Sequence, residues 1–276
     1  MGTCQSILSS ISAFIYIIIR RDPADTLLQT LGLQPSRKTL VEEKAAVNGK
    51  AHHANGVSKP STRFSPKSLL LRYLQCSTFI TLAAPFGFAA LSYISYPAMV
   101  LGKSCKLVPV MIMNVILYRR RFAAHKYLVV FMVTTGITVF MGLGDKSGKS
   151  KAKVTDVPYA NYIGLAYLLI NLALDGAINA SQDEIFARYK VTGQQMMLWI
   201  NIFCTLISSV LSILPLPYIP VIHPSTDGKT ELFGALTFIQ THPSIKRSLA
   251  EFAITGALGQ LFIFETLQHF GSLTLV

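Results

Sequence analysis

The stretch Tyr96-Pro97-Ala98-Met99-Val100-Leu101-Gly102-Lys103-Ser104-Cys105-Lys106-Leu107-Val108-Pro109-Val110-Met111 decides how this chain is read. It sits inside an apolar segment, residues 94–118, that is long enough to cross a bilayer, yet two lysines lie near its middle. A charged side chain at the centre of a membrane helix costs about 2.5–3.5 kcal/mol even on the lenient insertion scale. Spaced three apart, Lys103 and Lys106 share one helix face. One explanation is snorkelling, in which each ammonium reaches a headgroup layer. Lys106, however, is twelve residues from either end of its segment, on the order of 18 Å at about 1.5 Å per residue, farther than a lysine stem extends. Pro109 frees the Cys105 carbonyl, and Gly102 lets another backbone come close. Interrupted helices at this depth are tolerated where they line a water-filled cavity. The arrangement therefore favours a site for an anionic solute over snorkelling.

Outward from this stretch the chain repeats the same theme. Apolar segments cover residues 7–19, 69–93, 94–118, 127–143, 160–179, 196–216 and 252 to the end. Hydrophobic residues are 51% of the 276 and charged residues only 14%, against about 25% in a soluble domain. The fold class expected is an all-α polytopic membrane protein. The formal net charge of +12 raises nucleic acid as a partner. The basic residues cluster at segment ends instead (Arg20-Arg21, Arg119 to Arg121, Lys146 to Lys153), so they read as topology signals and no nucleic acid is expected. No CxxC pair, zinc-ligand spacing, nucleotide-hydrolysis loop or Ser/His/Asp arrangement occurs; no metal, no cofactor and no enzyme activity are expected.

The polar stretch 20–67 is expected to be a disordered loop, and 215–247 a long connection with a short surface helix near 231–240. Counting Lys and Arg puts the 20–67 loop in the cytosol, although the Lys146 to Lys153 cluster argues the other way. Met1-Gly2-Thr3-Cys4-Gln5-Ser6 fits a myristoylation pattern, but this orientation puts that end in the lumen. The expected division is a partial transmembrane helix (1–19), a disordered cytosolic loop (20–67) and a membrane domain of about six helices (68–276). Both ends lack polar flanks, and the expectation is a truncated chain.

Two further polar groups are candidates. Asp175, Asn179 and Asp183 recur every four residues on one helix face, with Gln182 beside them. Asp175 is either a counter-ion for a lysine or part of a solvated helix end. In Gly256-Ala257-Leu258-Gly259-Gln260-Leu261-Phe262-Ile263-Phe264-Glu265, small residues permit close packing. Gln260 is either packing glue or a site residue; Glu265 is a candidate for charge pairing.

Gly102-Lys103-Ser104-Cys105-Lys106 followed by Pro109-Val110-Met111 closely resembles the nucleotide-sugar transporters of solute carrier family 35, subfamily B, in the branch of the UDP-galactose transporter homologues. Pro85-Phe86-Gly87-Phe88, Ser181-Gln182-Asp183, Gln195-Met196-Met197-Leu198 and Gly259-Gln260-Leu261-Phe262-Ile263-Phe264 match as well, and the resemblance extends over nearly all the chain outside 20–67. It implies a drug/metabolite transporter fold of ten helices in two inverted repeats, of which this sequence would hold about seven. It also implies an antiporter of the endoplasmic reticulum membrane, with the Golgi membrane as alternative. Such a protein would bring a UDP-galactose-like nucleotide sugar into the lumen in exchange for a nucleoside monophosphate. Lys103 and Lys106 would hold the diphosphate, Gly102 and Ser104 would shape the backbone, and Asn179, Gln182 and Gln260 would offer hydrogen bonds. Asp175 and Glu265 are candidate counter-ions, although Glu265 stands where the resemblance implies an uncharged residue. The partners implied are a UDP-sugar or nucleotide and membrane lipid, with homo-oligomerisation left open. An ATP/ADP exchanger and an inactive membrane fragment are the alternatives.

Overall fold

Apolar runs in lipid must satisfy their backbone groups internally, which leaves the helix as the form open to segments of this length. The computed structural model describes residues 2–21, 23–34, 65–94, 99–100, 102–103, 107–118, 127–128, 131–132, 135–136, 139, 160–189, 191–214 and 230–270. These form helices α1 (Gly2–Ile19), α2 (Leu27–Thr30), α3 (Pro66–Tyr93), α4 (Leu107–Tyr118), α5 (Ala160–Tyr189), α6 (Gly193–Ile213), α7 (Glu231–Thr241) and α8 (Ile245–Phe270). No strand occurs among the described residues, so the all-α expectation is met. The stretches Gly2–Ile19, Pro66–Tyr93, Ile163–Tyr189 and Gly193–Ile213 are long and apolar enough to cross a membrane. Large apolar side chains on them, among them Ile11, Leu71, Leu169 and Leu206, stay exposed in the protein, as a lipid-facing surface requires. α8 has spanning length but carries Lys246, Arg247, Glu251 and Glu265.

Two groups of helices make the bundle. α3 and α4 pack on α5, α1 and α8 pack on α6, and α3 also packs on α6 to join the groups. The main core lies along that join: Leu69, Tyr73 and Cys76 of α3, Ile185 of α5, Met196, Met197 and Ile200 of α6, and Phe264 and Leu267 of α8. Contacts between helix ends fix the directions. At the Arg20 end, Trp199 Nε1 of α6 donates to the Leu31 carbonyl at 2.9 Å, and the hydroxyls of Ser68 and Tyr189 meet at 2.9 Å. At the other end, Gly164 of α5 lies against Tyr93 and Ile94, and Gly256 of α8 against Gln5 of α1. α1, α5 and α8 thus run one way, and α3 and α6 the other.

Several boundaries differ from the sequence reading. α3 ends at Tyr93, as expected, with Ile94 as its C-cap. Met99, Val100, Gly102 and Lys103 are helical ahead of α4. The fifth segment, read as 160–179, continues as helix to Tyr189, because Ser181, Gln182 and Ile185 turn into the interior and keep the face packed. The stretch read as a disordered loop from residue 20 begins with a docked turn. The Gln195 Nε2 of α6 donates to the carbonyls of Thr30 (2.9 Å) and Gln29 (3.3 Å). Gly32 has φ 75°, and a Cβ there would stand 2.8 Å from the Gln195 side chain, so only glycine lets the turn close on α6. Residues 35–64 of that loop, the Lys146 to Lys153 cluster and most of 127–143 lie outside the described residues. The surface helix expected near 231–240 is α7.

Candidate functional site

α5 builds one wall of the candidate site. Leu168, Asn171, Leu172, Asp175, Asn179 and Gln182 fall at i, i+3, i+4, i+7, i+11 and i+14, so they form a single stripe along this helix. Two close approaches set the register of the lysine-bearing stretch against it. A Cβ at Gly102 would stand 2.7 Å from Leu168 Cδ2, and one at Gly176 would stand 2.8 Å from the backbone C and O of Pro109. Gly102 opposite Leu168 and Pro109 opposite the next two turns of α5 make the two chains run parallel. Gly176 is thus where two backbones touch, which is the use of small residues in membrane packing. Lys103 is half-buried, and its neighbour Gly102 packs on Leu168. Ser104, Cys105 and Lys106 lie outside the described residues.

Asp175 and Asn179 are half-buried and Gln182 is buried, 7% exposed. The reading of Asp175 as part of a solvated helix end does not survive, because α5 runs on well beyond it. Asn171, which the sequence reading passed over, is the most enclosed polar residue of the stripe. Its Nδ2 donates to the Ala83 carbonyl of α3 at 2.9 Å, while its Oδ1 is buried without a hydrogen-bond partner. The amide lies against Gly87, where a Cβ would stand 3.3 Å from Nδ2. Pro85 stands inside α3 between these two contacts; a proline in a helix removes one backbone bond and bends the axis. The signal that could have found Asn171 is its place four residues before Asp175, in mid-segment.

The second polar group belongs to a different pair, α6 and α8. Gln260 Oε1 accepts from Asn201 Nδ2 at 3.4 Å, and the same Nδ2 donates to the Met197 carbonyl at 2.8 Å. Gln194 Nε2 donates to the Leu261 carbonyl at 3.1 Å and to Glu265 Oε2 at 3.3 Å. Glu265 Oε1 lies 3.7 Å from His269 Nε2, a half-exposed pair one turn apart. Gln268 Oε1 accepts from the Gly193 N–H. Glu265 thus accepts a hydrogen bond from Gln194 and lies beside the His269 ring. Gly102, next to Lys103, stands level with Leu168, whereas Asp175, Asn179 and Gln182 follow further along α5, Gln182 about 21 Å beyond Leu168 at 1.5 Å per residue; Gln260 and Glu265 sit on α8 against α6.

These features define a class: an all-α, multi-pass membrane protein with a cation and a polar stripe carried between helices that pack through glycine. The sequence model of the UAA transporter family matches residues 51–276, and the chain belongs to that family. It is a family of transporters and not of enzymes. Over its whole length the chain is 41% identical to the UDP-galactose transporter homolog 1 of Mycosarcoma maydis, covering 70% of that protein. It is 42% identical to the protein of the same name from Cryptococcus neoformans var. neoformans, again over its whole length and 72% of the relative. The Schizosaccharomyces pombe relative is 41% identical over 71% of this chain and 55% of its own. No solved structure matches the chain.

Proposed function

We propose that this chain carries a nucleotide sugar of the UDP-galactose kind across the endoplasmic reticulum membrane, or the Golgi membrane, into the lumen in exchange for a nucleoside monophosphate. The observation that supports this most is Lys103, half-buried within an apolar stretch and seated by Gly102 against α5. Membership of the transporter family and the printed names of the relatives support the substrate class. In this reading Lys103 and Lys106 bind the diphosphate as charge-assisted donors, and Ser104 and Gly102 shape the backbone around it. Asn179, Gln182 and Gln260 hydrogen-bond to ribose, base or sugar, and Asp175 and Glu265 act as counter-ions. Such a lysine cluster without an anion opposes passage through the membrane interior. A carrier that reorients only when loaded is an exchanger.

The test is uptake of labelled UDP-galactose into vesicles holding the 276-residue chain, beside the same chain extended by the flanking lengths of its relatives. The expected result is uptake that depends on preloaded UMP and is competed by other UDP-sugars. Uptake that is equal into empty vesicles overturns the exchange. Competition by ATP and not by UDP-sugars overturns the substrate class in favour of adenine nucleotides.

A further inference from the structure

The transport reading makes no use of α7 (Glu231–Thr241). This helix is well formed: the Thr230 side chain accepts from the Phe233 N–H, and the His242 N–H donates to the Phe238 carbonyl. Leu232, Ala235, Leu236 and Ile239 fall at i, i+3, i+4 and i+7, a single apolar stripe. Gly234, Thr237 and Thr241 make the opposite side, and both threonine hydroxyls donate to carbonyls one turn back in the same helix. No residue of α7 is buried, and Leu232, Phe233, Leu236 and Phe238 are about half exposed. An amphipathic helix with its apolar side uncovered by protein has a partner elsewhere.

The position of α7 identifies that partner. It touches α6 lightly and passes through His242, Pro243 and Ser244 into α8. α8 begins at the bundle end opposite Arg20, since Gly256 lies against Gln5 near the start of α1. α7 is therefore at the rim where spanning helices leave the apolar layer. Its eleven residues extend about 16 Å at 1.5 Å per residue, roughly half the hydrocarbon thickness, so it cannot cross. Lys246 and Arg247 follow it, both exposed, as cations at the level of headgroups. The exposed residues Val210 and Ile213 of α6, its C-cap Leu214, and Phe252 and Ile254 of α8 belong to the belt that lipid covers. Lipid is thus at hand beside α7, while Thr230, His242, Ser244, Lys246 and Arg247 at its two ends supply polar groups suited to the headgroup layer.

We propose that α7 lies flat in the membrane boundary on the face opposite Arg20. The Leu232, Leu236 and Ile239 stripe rests among acyl chains, Phe233 and Phe238 sit at headgroup level, and Thr237 and Thr241 face water. The occupant of the apolar face is bilayer lipid.

Spin labels on the full chain test this in vesicles of phosphatidylcholine with phosphatidylserine. Cys4 and Cys105 are changed to Ser, while the buried Cys76 and Cys204 are kept. Single labels are placed through Leu232→Cys, Leu236→Cys, Gly234→Cys and Thr237→Cys, all at exposed positions. Labels at 232 and 236 are expected to collide several-fold more with oxygen than with a water-soluble nickel chelate, and labels at 234 and 237 to show the reverse. Equal nickel access on both sides overturns the proposal. So does dipolar broadening at 236 that grows with protein-to-lipid ratio, which would make the occupant a second copy. Loss of the periodic pattern with every label immobile also overturns it, because the stripe is then covered by the chain's own protein.

Discussion

Among the described residues, the two halves of the bundle differ in the balance of their contacts. Around α6, polar groups cross from helix to helix: Gln195 to Gln29 and Thr30, Trp199 to Leu31, Gln194 to Leu261 and Glu265, and Gln268 to Gly193. Around α5, close approaches through small residues stand out, with Gly102 on Leu168, Gly164 on Tyr93 and Gly176 on Pro109. Beside them are the Asn171–Ala83 bond next to Pro85 and the Ser68–Tyr189 contact at the helix ends. Interhelical hydrogen bonds fix a register, whereas smooth glycine contacts allow one helix to slide or tilt on another. The movement to be expected in a carrier of this build is of the Lys103 stretch and α4 on α5, whereas α6 is tied to α8 and the docked turn, and to α3 by the Ser77–Ile200 bond.

Four substitutions would break or sharpen that contrast. The largest effect is expected from Gly176→Leu, which drives a branched side chain into the Pro109 backbone. It should lower stability by about 3 kcal/mol or more and abolish transport, as thermal unfolding in detergent and vesicle uptake would record. Survival with normal uptake would mean that α4 and α5 are not in close contact there. Gln195→Ala removes both bonds to the docked turn and half of the Thr192 capping box. The expected loss is about 1–2 kcal/mol, with the uptake rate per folded molecule unchanged; a changed rate would mean the half around α6 moves too. Asn171→Leu should cost less, about 0.6–1.7 kcal/mol. Its distinguishing mark is a changed exchange rate at unchanged substrate affinity, because the amide ties α5 to the Ala83 carbonyl of α3 beside Pro85. A weakened affinity alone would contradict that role. Arg247→Ala, which opens the exposed pair with Glu251, should shift the melting midpoint hardly at all, about 0.5 kcal/mol or less.

Much of this was legible in the residues. The span-length apolar runs, the surface helix at α7 and the lysines within an apolar run follow from hydropathy and spacing, signals that depend on nothing distant in the chain. What stayed hidden depends on partners far away. Asn171 looks like any polar residue in a membrane segment until the Ala83 carbonyl and Gly87 of α3 are seen around it. The loop after Arg20 is polar and reads as disordered, yet the carbonyls of Gln29, Thr30 and Leu31 accept hydrogen bonds from α6, more than 160 positions on. The end of α5 was misjudged because Asp183 and Glu184 interrupt the apolar pattern, while Gln182 and Ile185 beside them are buried. The sequence reading begins this segment at 196 on hydropathy; the Thr192–Gln195 capping box starts α6 at Gly193.

The account stands on Lys103 as the cation that meets the transported anion. The most direct measurement is exchange of labelled UDP-galactose against UMP by the Lys103→Ala and Lys106→Ala variants, with folding checked by thermal unfolding. The account predicts that both variants fold and that each loses exchange by at least tenfold, about 1.4 kcal/mol of charge-assisted binding. Exchange at unchanged affinity and rate in the Lys103→Ala variant would contradict it.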